Sequence, residues 1–293
     1  MVDGPKTGVV TGANQGLGKA VAAGLARAWG EEGIVYLTGR DRQRVTDAAT
    51  DLARAGLRVV PEVCDVRDDE AVRQLARRIA ERHGGVDFVD SNATAGIAPG
   101  VPAAEQVTDL IETNNLGATR MIRSFGPLLR PGGRFAVTAS SFGTLGSLPA
   151  RLHPRFDTET MSLADLDQAM RGYAGAVRSG AAAAQGWPEW INIPSKVGQV
   201  AAVRIYARTQ RDQAMRSGQL IVAVCPGLVD TRASRPWFAD MSEAQTPDEA
   251  AADIVALATG PADARFYGEL VQHRRVLPWR TEPVPAVPAV RES

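Results

Sequence analysis

Residues 11–18 read TGANQGLG, and they stand between an apolar run, TGVVTG at 7–12, and an amphipathic stretch, NQGLGKAVAAGLARAW at 14–29. Gly12 and Gly16 let a backbone turn and approach a pyrophosphate, and Gly18 lets a helix pack closely on a sheet. A helix that starts there presents free N–H groups and the positive end of its dipole to an anion. The strand, turn and helix context makes this a dinucleotide-binding turn rather than a plain one. The candidate cofactor-binding residues of the turn are Gly12, Asn14, Gln15, Gly16, Leu17 and Gly18.

Outward from this turn the rhythm repeats. A second strand, GIVYLTGR at 33–40, closes the first βαβ unit, and further strands are expected at 57–65, 86–93, 133–141 and 220–227. Helices are expected near 68–82, 105–129 and 195–217. Apolar β-branched runs alternating with amphipathic stretches predict an α/β fold. It should be a Rossmann-type doubly wound parallel sheet with helices on both faces and a ligand at the carboxyl ends of the strands. A single domain over 1–279 accounts for the pattern. Residues 142–188 are too long for an ordinary connection and read as a helical insertion before the helix of Lys196. The tail, 280–293, is Pro-rich and expected to be extended or disordered. No internal repeat is visible.

Of the 293 residues 44% are hydrophobic, and 33 basic balance 33 acidic side chains. Zero net charge leaves no electrostatic footprint for nucleic acid or an anionic membrane, and a small neutral ligand fits better. Cys64 and Cys225 lie far apart in apolar stretches and match neither a disulfide framework nor a metal site, so both read as reduced core residues. The N-terminus lacks the regions of a signal peptide, and no apolar run approaches the roughly 20 residues that span a bilayer. A cytoplasmic protein without a metal is expected.

The second strand ends in Arg40, where an NAD site usually has an acidic residue for the ribose diol. A guanidinium there suits a 2′-phosphate, so NADP(H) is favoured over NAD(H), although Asp41 follows at once.

Taken with CDV at 64–66, TNNLG at 113–117, VTASS at 137–141, QGWP at 185–188, Lys196 and PGLVDT at 226–231, the chain resembles the short-chain dehydrogenase/reductase family. Within that family it is similar to the carbonyl reductase branch, which carries a long insertion before the active-site helix. The resemblance extends to about Trp279. It implies that Asp65, with Val66, reaches the adenine and that Asn92 and Ala93 line the cofactor strand. It assigns Pro226, Gly227, Val229 and Thr231 to the nicotinamide carboxamide and pyrophosphate, and Lys196 to the nicotinamide ribose. It also implies that Asn114 holds a water and supports the lysine, and that Ser141 hydrogen-bonds a substrate carbonyl.

The family's tyrosine is missing. In WINIPSK, residues 190–196, the position four before Lys196 is Asn192, and neither Trp190, Ile191 nor Ile193 supplies a phenol. The i, i+4 spacing sets two side chains on one helical face, where an ammonium stabilises a phenolate; an asparagine does not titrate near neutrality. The candidate catalytic set is therefore Ser141, Lys196, Asn114 and Asn192. Asn192 also reads as a helix N-cap, with Pro194 in the first turn. The usual NNAG run is SNAT at 91–94, so Thr94 replaces a glycine unless Gly96 serves.

Tyr36 and Tyr267 read as structural, and Tyr206 lies ten residues past Lys196, ~15 Å along a helix. Tyr173 and His153, in the insertion, are the remaining candidates for an acid. His83 reads as a helix-end residue that meets the dipole, and His273 as part of a solvated basic run.

Three functions follow. The first is reduction of a small-molecule carbonyl by NADP(H) with an unusual acid. The second is a non-redox step, such as cyclisation, dehydration or isomerisation, that keeps the cofactor as a structural element, on a substrate that fits a biosynthetic role. The third is a cofactor-binding protein without catalysis. An insertion over the face through which relatives form tetramers implies a monomer.

Overall fold

The computed structural model describes residues 4–280. The Pro-rich tail expected to be extended or disordered lies, from residue 281, outside the described residues.

Six strands form the expected parallel sheet, β1 (Lys6–Val10), β2 (Gly33–Gly39), β3 (Val59–Val63), β4 (Val86–Ser91), β5 (Leu129–Thr138) and β6 (Leu220–Val224). Two short strands, β7 (Leu270–Gln272) and β8 (Arg275–Leu277), extend it to the order β3-β2-β1-β4-β5-β6-β7-β8, with only β8 antiparallel. The chain reverses direction across the sheet between β1 and β4, where an open α/β sheet offers its ligand crevice. Val9, Val10, Leu37, Phe88, Val89, Phe135 and Val137 are inaccessible to solvent, each contributing roughly 1.5–3 kcal/mol of apolar burial.

The helices α1 (Gly16–Trp29), α2 (Arg42–Arg54), α3 (Asp69–His83), α4 (Ala103–Ile111), α5 (Gly117–Phe125), α6 (Leu163–Arg178), α7 (Asn192–Ser217) and α8 (Pro247–Thr259) cover the sheet on both sides. Gly8 of β1 faces Trp29 and Leu25 of α1, and α8 packs on α1, while α5 links α3 to α7 on the opposite face. Local chemistry sets the ends. Asp68 caps α3, which stops at Gly84 in the left-handed region (φ 74°), and reciprocal capping boxes start α6 (Ser162 with Asp165) and α8 (Thr246 with Glu249). Helix α7 is buried without a break from Ile193 to Val203, so it behaves as a central helix rather than an amphipathic surface one.

Four details depart from the sequence reading. The single helix expected over 105–129 is broken by a π turn at Glu112–Leu116 and ends at Gly126–Leu128, where Pro127 cannot continue it. The carboxamides of Asn114 and Asn115 bond outward to α7 and the β4 loop, which holds the turn wide. The β7–β8 hairpin escapes notice because its turn residues, His273 (φ 46°) and Arg274 (φ 58°), adopt left-handed conformations without the usual Asn-Gly pair. The insertion is only partly helical. After Ser141 come short 3₁₀ turns, and α6 then lays Leu166, Met170 and Tyr173 against α4 and α7.

Asn192 is not the N-cap of α7. It is the first helical residue, and Ile191 stands at the cap without a side-chain hydrogen bond. The preceding segment is already helical in its backbone angles (Ile191 φ −61°, ψ −17°), so no extended residue is present for an asparagine cap to occupy. No helix among the described residues is long and apolar enough to cross a membrane.

Candidate functional site

The glycine turn is built as its residues require. Gly12 (φ 62°) and Gly16 (φ 53°) take left-handed conformations, and a Cβ on Gly12 would lie 2.8 Å from Cα of Ala93. A Cβ on Gly18 would lie 2.4 Å from Nδ2 of Asn92 and 2.8 Å from the Gly12 carbonyl oxygen. Asn92 donates from Nδ2 to the Thr11 carbonyl (2.9 Å), and the Thr11 hydroxyl accepts from the N–H groups of Asn92 and Ala93 (both 3.0 Å). Asn92 and Ala93 thus brace the turn from β4. Gln15 caps α1 without a side-chain hydrogen bond, and the first turn holds no acidic residue. Leu17 is buried beneath it. The α1 terminus therefore keeps its N–H groups and dipole for an anion.

Around this turn stand three further groups. Arg40 is exposed at the end of β2, and Asp41 caps α2 by accepting from the Arg44 N–H (3.0 Å). Arg44, unremarked in the sequence, donates to Gln15 Oε1; with its carboxamide turned to face it, Asn14 accepts from Arg44 at 3.2 Å. Asp65 lies in a fork of Arg67 (2.8 and 3.1 Å to Oδ2). Burial pushes its carboxyl upward, but the Arg67 hydrogen bonds outweigh it and hold Asp65 below the usual carboxylate value. Val66 is buried against Gly117, whose absent Cβ would fall 2.8 Å from it.

From the far side, the loop after β6 closes in. Thr231 sits over Gly16, 3.6 Å from where a Cβ would be, and its N–H donates to Ser234 Oγ (3.0 Å). Gly227 is left-handed (φ 81°); the Pro226 carbonyl accepts from Gln245 Nε2 (3.1 Å), and Val229 bridges to Gln245. The glycine turn, the β2 end, the β4 end and the β6 loop thus stand together at the carboxyl ends of the strands.

The candidate catalytic residues lie where β5, the π turn and α7 converge. Ser141 is exposed at the end of β5, in a 3₁₀ turn capped by Ser140. That turn packs on α7, since a Cβ on Gly143 would lie 3.1 Å from the Lys196 carbonyl oxygen. Burial pushes the Cys225 thiol up. Lys196 is buried, and its Nζ donates to Gln199 Oε1 (2.8 Å). Desolvation pushes its ammonium down to about 8, opposed only by nearby Cys225.

Asn114 has its carboxamide occupied by protein. Oδ1 accepts from the Thr94 hydroxyl (3.0 Å) and the Ala95 N–H (2.9 Å), and Nδ2 donates to Ser195 Oγ (3.1 Å). Thr94, which replaces the expected glycine, is thereby built into the site, and the space beside Gly96 is open. Asn192 is half-buried, one helical turn before Lys196.

None of the four tyrosines is hydrogen-bonded to Lys196 or Ser141. The Tyr36 hydroxyl pairs with His83 Nε2 (2.8 Å), and Tyr267 donates to the Ala207 carbonyl (2.8 Å). Tyr206 packs under Gly126, and Tyr173 is buried against Trp187, where desolvation pushes its phenol well above the ordinary value. His153 Nε2 is held at the Leu148 carbonyl (3.0 Å). His83 does end α3, but burial and nearby Arg82 and Arg130 depress its pKa, so it is biased away from the cation that favours a dipole. His273 bonds Asp253 (3.0 Å). Among the described residues no group of three or more His, Cys, Asp or Glu is placed to hold a metal.

The sequence reading missed Thr11, Arg44, Ser195 and Gln199. Gln199 carried a sign of its role, being a lone carboxamide in the buried run VGQVAAV.

Comparison with known proteins agrees with this fold. The profile of the short chain dehydrogenase family matches residues 6–150. Carbonyl reductase (NADPH) 1 from Bos taurus is 31% identical over 277 residues, covering 92% of this chain and 97% of that protein. The Mus musculus carbonyl reductase (NADPH) 1 is 32% identical over 279 residues, with 92% and 97% covered. Among solved structures, salutaridine reductase from Papaver somniferum superposes with a TM-score of 0.76 at 21% identity, over 90% of this chain and 99% of that one, a likeness of fold.

Proposed function

Because the chain belongs to the short-chain dehydrogenase/reductase family, we propose that it reduces the carbonyl of a small molecule with NADPH, using Lys196 in place of the missing tyrosine as the source of the proton. The observation that carries this reading is an intact glycine cradle beside a buried lysine whose helical neighbour at i−4 is Asn192.

NADP(H) fits the residues present. Gly12, Gly16 and Gly18 leave room that a Cβ would fill, α1 offers its N-terminus to the diphosphate, and Asn14 and Gln15 hold Arg44 beside exposed Arg40 for a 2′-phosphate. Asp41 is engaged through Oδ1 as a helix cap, and Arg40 beside it is exposed. Asp65 and Val66 border the adenine end, and Pro226, Gly227, Val229 and Thr231 the nicotinamide end. When bound, the cofactor supplies the hydride that the carbonyl carbon receives.

The chain's own residues do the rest. Ser141, exposed at the β5 end, donates a hydrogen bond to the substrate oxygen. Asn192 donates a second from the first turn of α7. Lys196, with its ammonium near 8, holds the ribose and gives one proton from Nζ to the oxygen, leaving a neutral amine that solvent reprotonates. Asn114 fixes the Thr94 loop and Ser195, and so the floor of the pocket. NADPH absorbance at 340 nm, followed with a panel of quinones and aldehydes, tests the reading. Its loss should match alcohol formed, and the rate should fall as the pH rises through about 8 because the acid form is the active one. Absence of NADPH binding overturns it.

The position of all four tyrosines away from Lys196 favours a second reading, a non-redox step on a bound substrate with NADP(H) retained. Conversion of a substrate without NADPH consumption distinguishes the two. The packing of α6 over α4 and α7 supports a monomer, which a solution mass near 31.1 kDa would bear out and a dimer or tetramer mass would refute.

A further inference from the structure

The buried amine of Lys196 leads into a hydrogen-bonded line through the sheet. Nζ donates to Gln199 Oε1 (2.8 Å), Gln199 Nε2 donates to the Thr138 carbonyl (3.2 Å), and the Thr138 hydroxyl donates to Asp90 Oδ1 (2.9 Å). Lys196 and Gln199 are three apart on α7 and share a face. Gln199 is only 1% exposed, wedged between α7 and β5. A buried carboxamide is costly unless both its ends are bonded, and here both are. The Thr138 carbonyl can only accept, so it fixes Nε2 toward β5 and Oε1 toward the lysine.

We propose that Gln199 is the positioning residue of Lys196, a neutral acceptor that holds the buried amine in place while leaving it free to give up its proton. This deepens the reading of Lys196 as proton source and rests on it. The chemistry lies in the choice of a carboxamide. A carboxylate at 199 would hold the amine equally well but would also hold its proton, because an opposite charge at hydrogen-bond distance favours the ammonium. An apolar side chain would release the amine and leave it unbonded in a dry interior. Among the described residues, Cys225 is the titratable side chain that faces the amine. Asp90 lies across the sheet, since it pairs with Val10 on the side where Gly8 meets α1, whereas α7 packs on the other.

The chain contains just three lysines, Lys6, Lys19 and Lys196, so a carbon-13 label at the lysine ε-carbons gives three resolvable signals. Titration of the cofactor-free full chain by NMR should show Lys196 moving at about pH 8. In Gln199→Glu its midpoint should rise by about 1–3 units. In Gln199→Met, similar in volume but without an acceptor, it should fall below the wild-type value. Should the methionine variant fail to fold, Gln199→Asn, one methylene shorter, is read in its place and should also fall. Opposite shifts in folded variants support the assignment. Unchanged midpoints, or shifts of one sign, overturn it. NADPH affinity and reduction by the wild type are measured separately, so failure of the carbonyl-reductase reading leaves this titration interpretable. If that reading holds, the upper limb of the pH–rate profile should move with the NMR midpoint in each variant.

Discussion

The nucleotide cradle and the proposed catalytic cluster beside it are built on different terms. In the cradle, function rests on backbone: two left-handed glycines, a glycine at a helix–strand contact and an uncapped helix terminus. At the proposed catalytic end it rests on individual side chains: Asn192 stands four residues before Lys196, and Thr94, Asn114, Ser195, Lys196 and Gln199 are bonded to one another in two small groups. Backbone constraints tolerate few residues, whereas a side-chain constellation can be rewired one member at a time without disturbing the fold. On the proposed reading, the same domain keeps its cofactor site while the source of its proton changes.

The largest test of this contrast restores the missing member. Asn192→Tyr places a phenol one turn before Lys196, on the same face of α7. Positioned acid catalysis is worth roughly 10²–10⁴ in rate, so ketone or quinone reduction should rise by about two orders of magnitude. NADPH affinity should stay the same, because the cradle is untouched. Steady-state kinetics and a binding titration check both. No gain with retained binding would mean that position 192 does not meet the substrate oxygen.

Breaking the other side comes next. A methyl group at Gly18 meets Asn92 Nδ2 at 2.4 Å and the Gly12 carbonyl at 2.8 Å, with no flexible side-chain end able to move freely away. Overpacking of this kind costs about 1–3 kcal/mol, and Gly18→Ala should weaken NADPH binding by roughly 10- to 100-fold. The kcat of cofactor-saturated protein should change far less. Calorimetric titration would show whether the loss sits in affinity.

These two tests mirror what was legible in the sequence. TGANQGLG is readable because each glycine answers to a local backbone demand, and the strands around it are readable from continuous apolar runs buried on both faces. The line from Lys196 to Asp90 is not, because Gln199 finds Thr138 only when α7 docks on β5. The π turn at Glu112–Leu116 is held by carboxamides that bond across 19 to 81 positions of chain, so no local pattern announces it. Asn192 shows the same limit, since its residue type suits a cap but the incoming backbone is already helical.

Arg44 sharpens the boundary within the cradle itself, as a side chain bound to Gln15 and, on the turned carboxamide, to Asn14. Charge-assisted hydrogen bonds to a phosphate are worth about 1.5–3 kcal/mol, so Arg44→Ala should reduce the preference for NADPH over NADH by roughly tenfold or more. NADH affinity should be nearly unchanged. Dissociation constants for the two cofactors at one ionic strength decide it, and an equal loss for both would remove Arg44 from the 2′-phosphate.

The smallest effect concerns Asp90, which joins the two regions, since β4 carries Asn92 and Ala93 into the cradle while Thr138 and Gln199 lead from Asp90 to Lys196. Its carboxyl is fully buried, Oδ2 has no partner, and desolvation raises it to about 7 despite the Thr138 hydrogen bond. The folded state thus holds this proton more tightly than the unfolded chain does. Stability from this group is greatest at low pH, declines as pH rises from the unfolded value of 3.8, and levels off above about 7 once the folded carboxyl also ionises. Between pH 6 and 8 the loss is on the order of 1 kcal/mol, at about 1.4 kcal/mol per unit where only the unfolded form titrates. Asp90→Asn keeps an acceptor for Thr138 and removes the titration, so its denaturation midpoint relative to wild type should rise from pH 5 and level off above about pH 7. A difference that is flat with pH would show that the Asp90 carboxyl is ionised in the fold, and that β4 carries a charge between the cradle and the lysine.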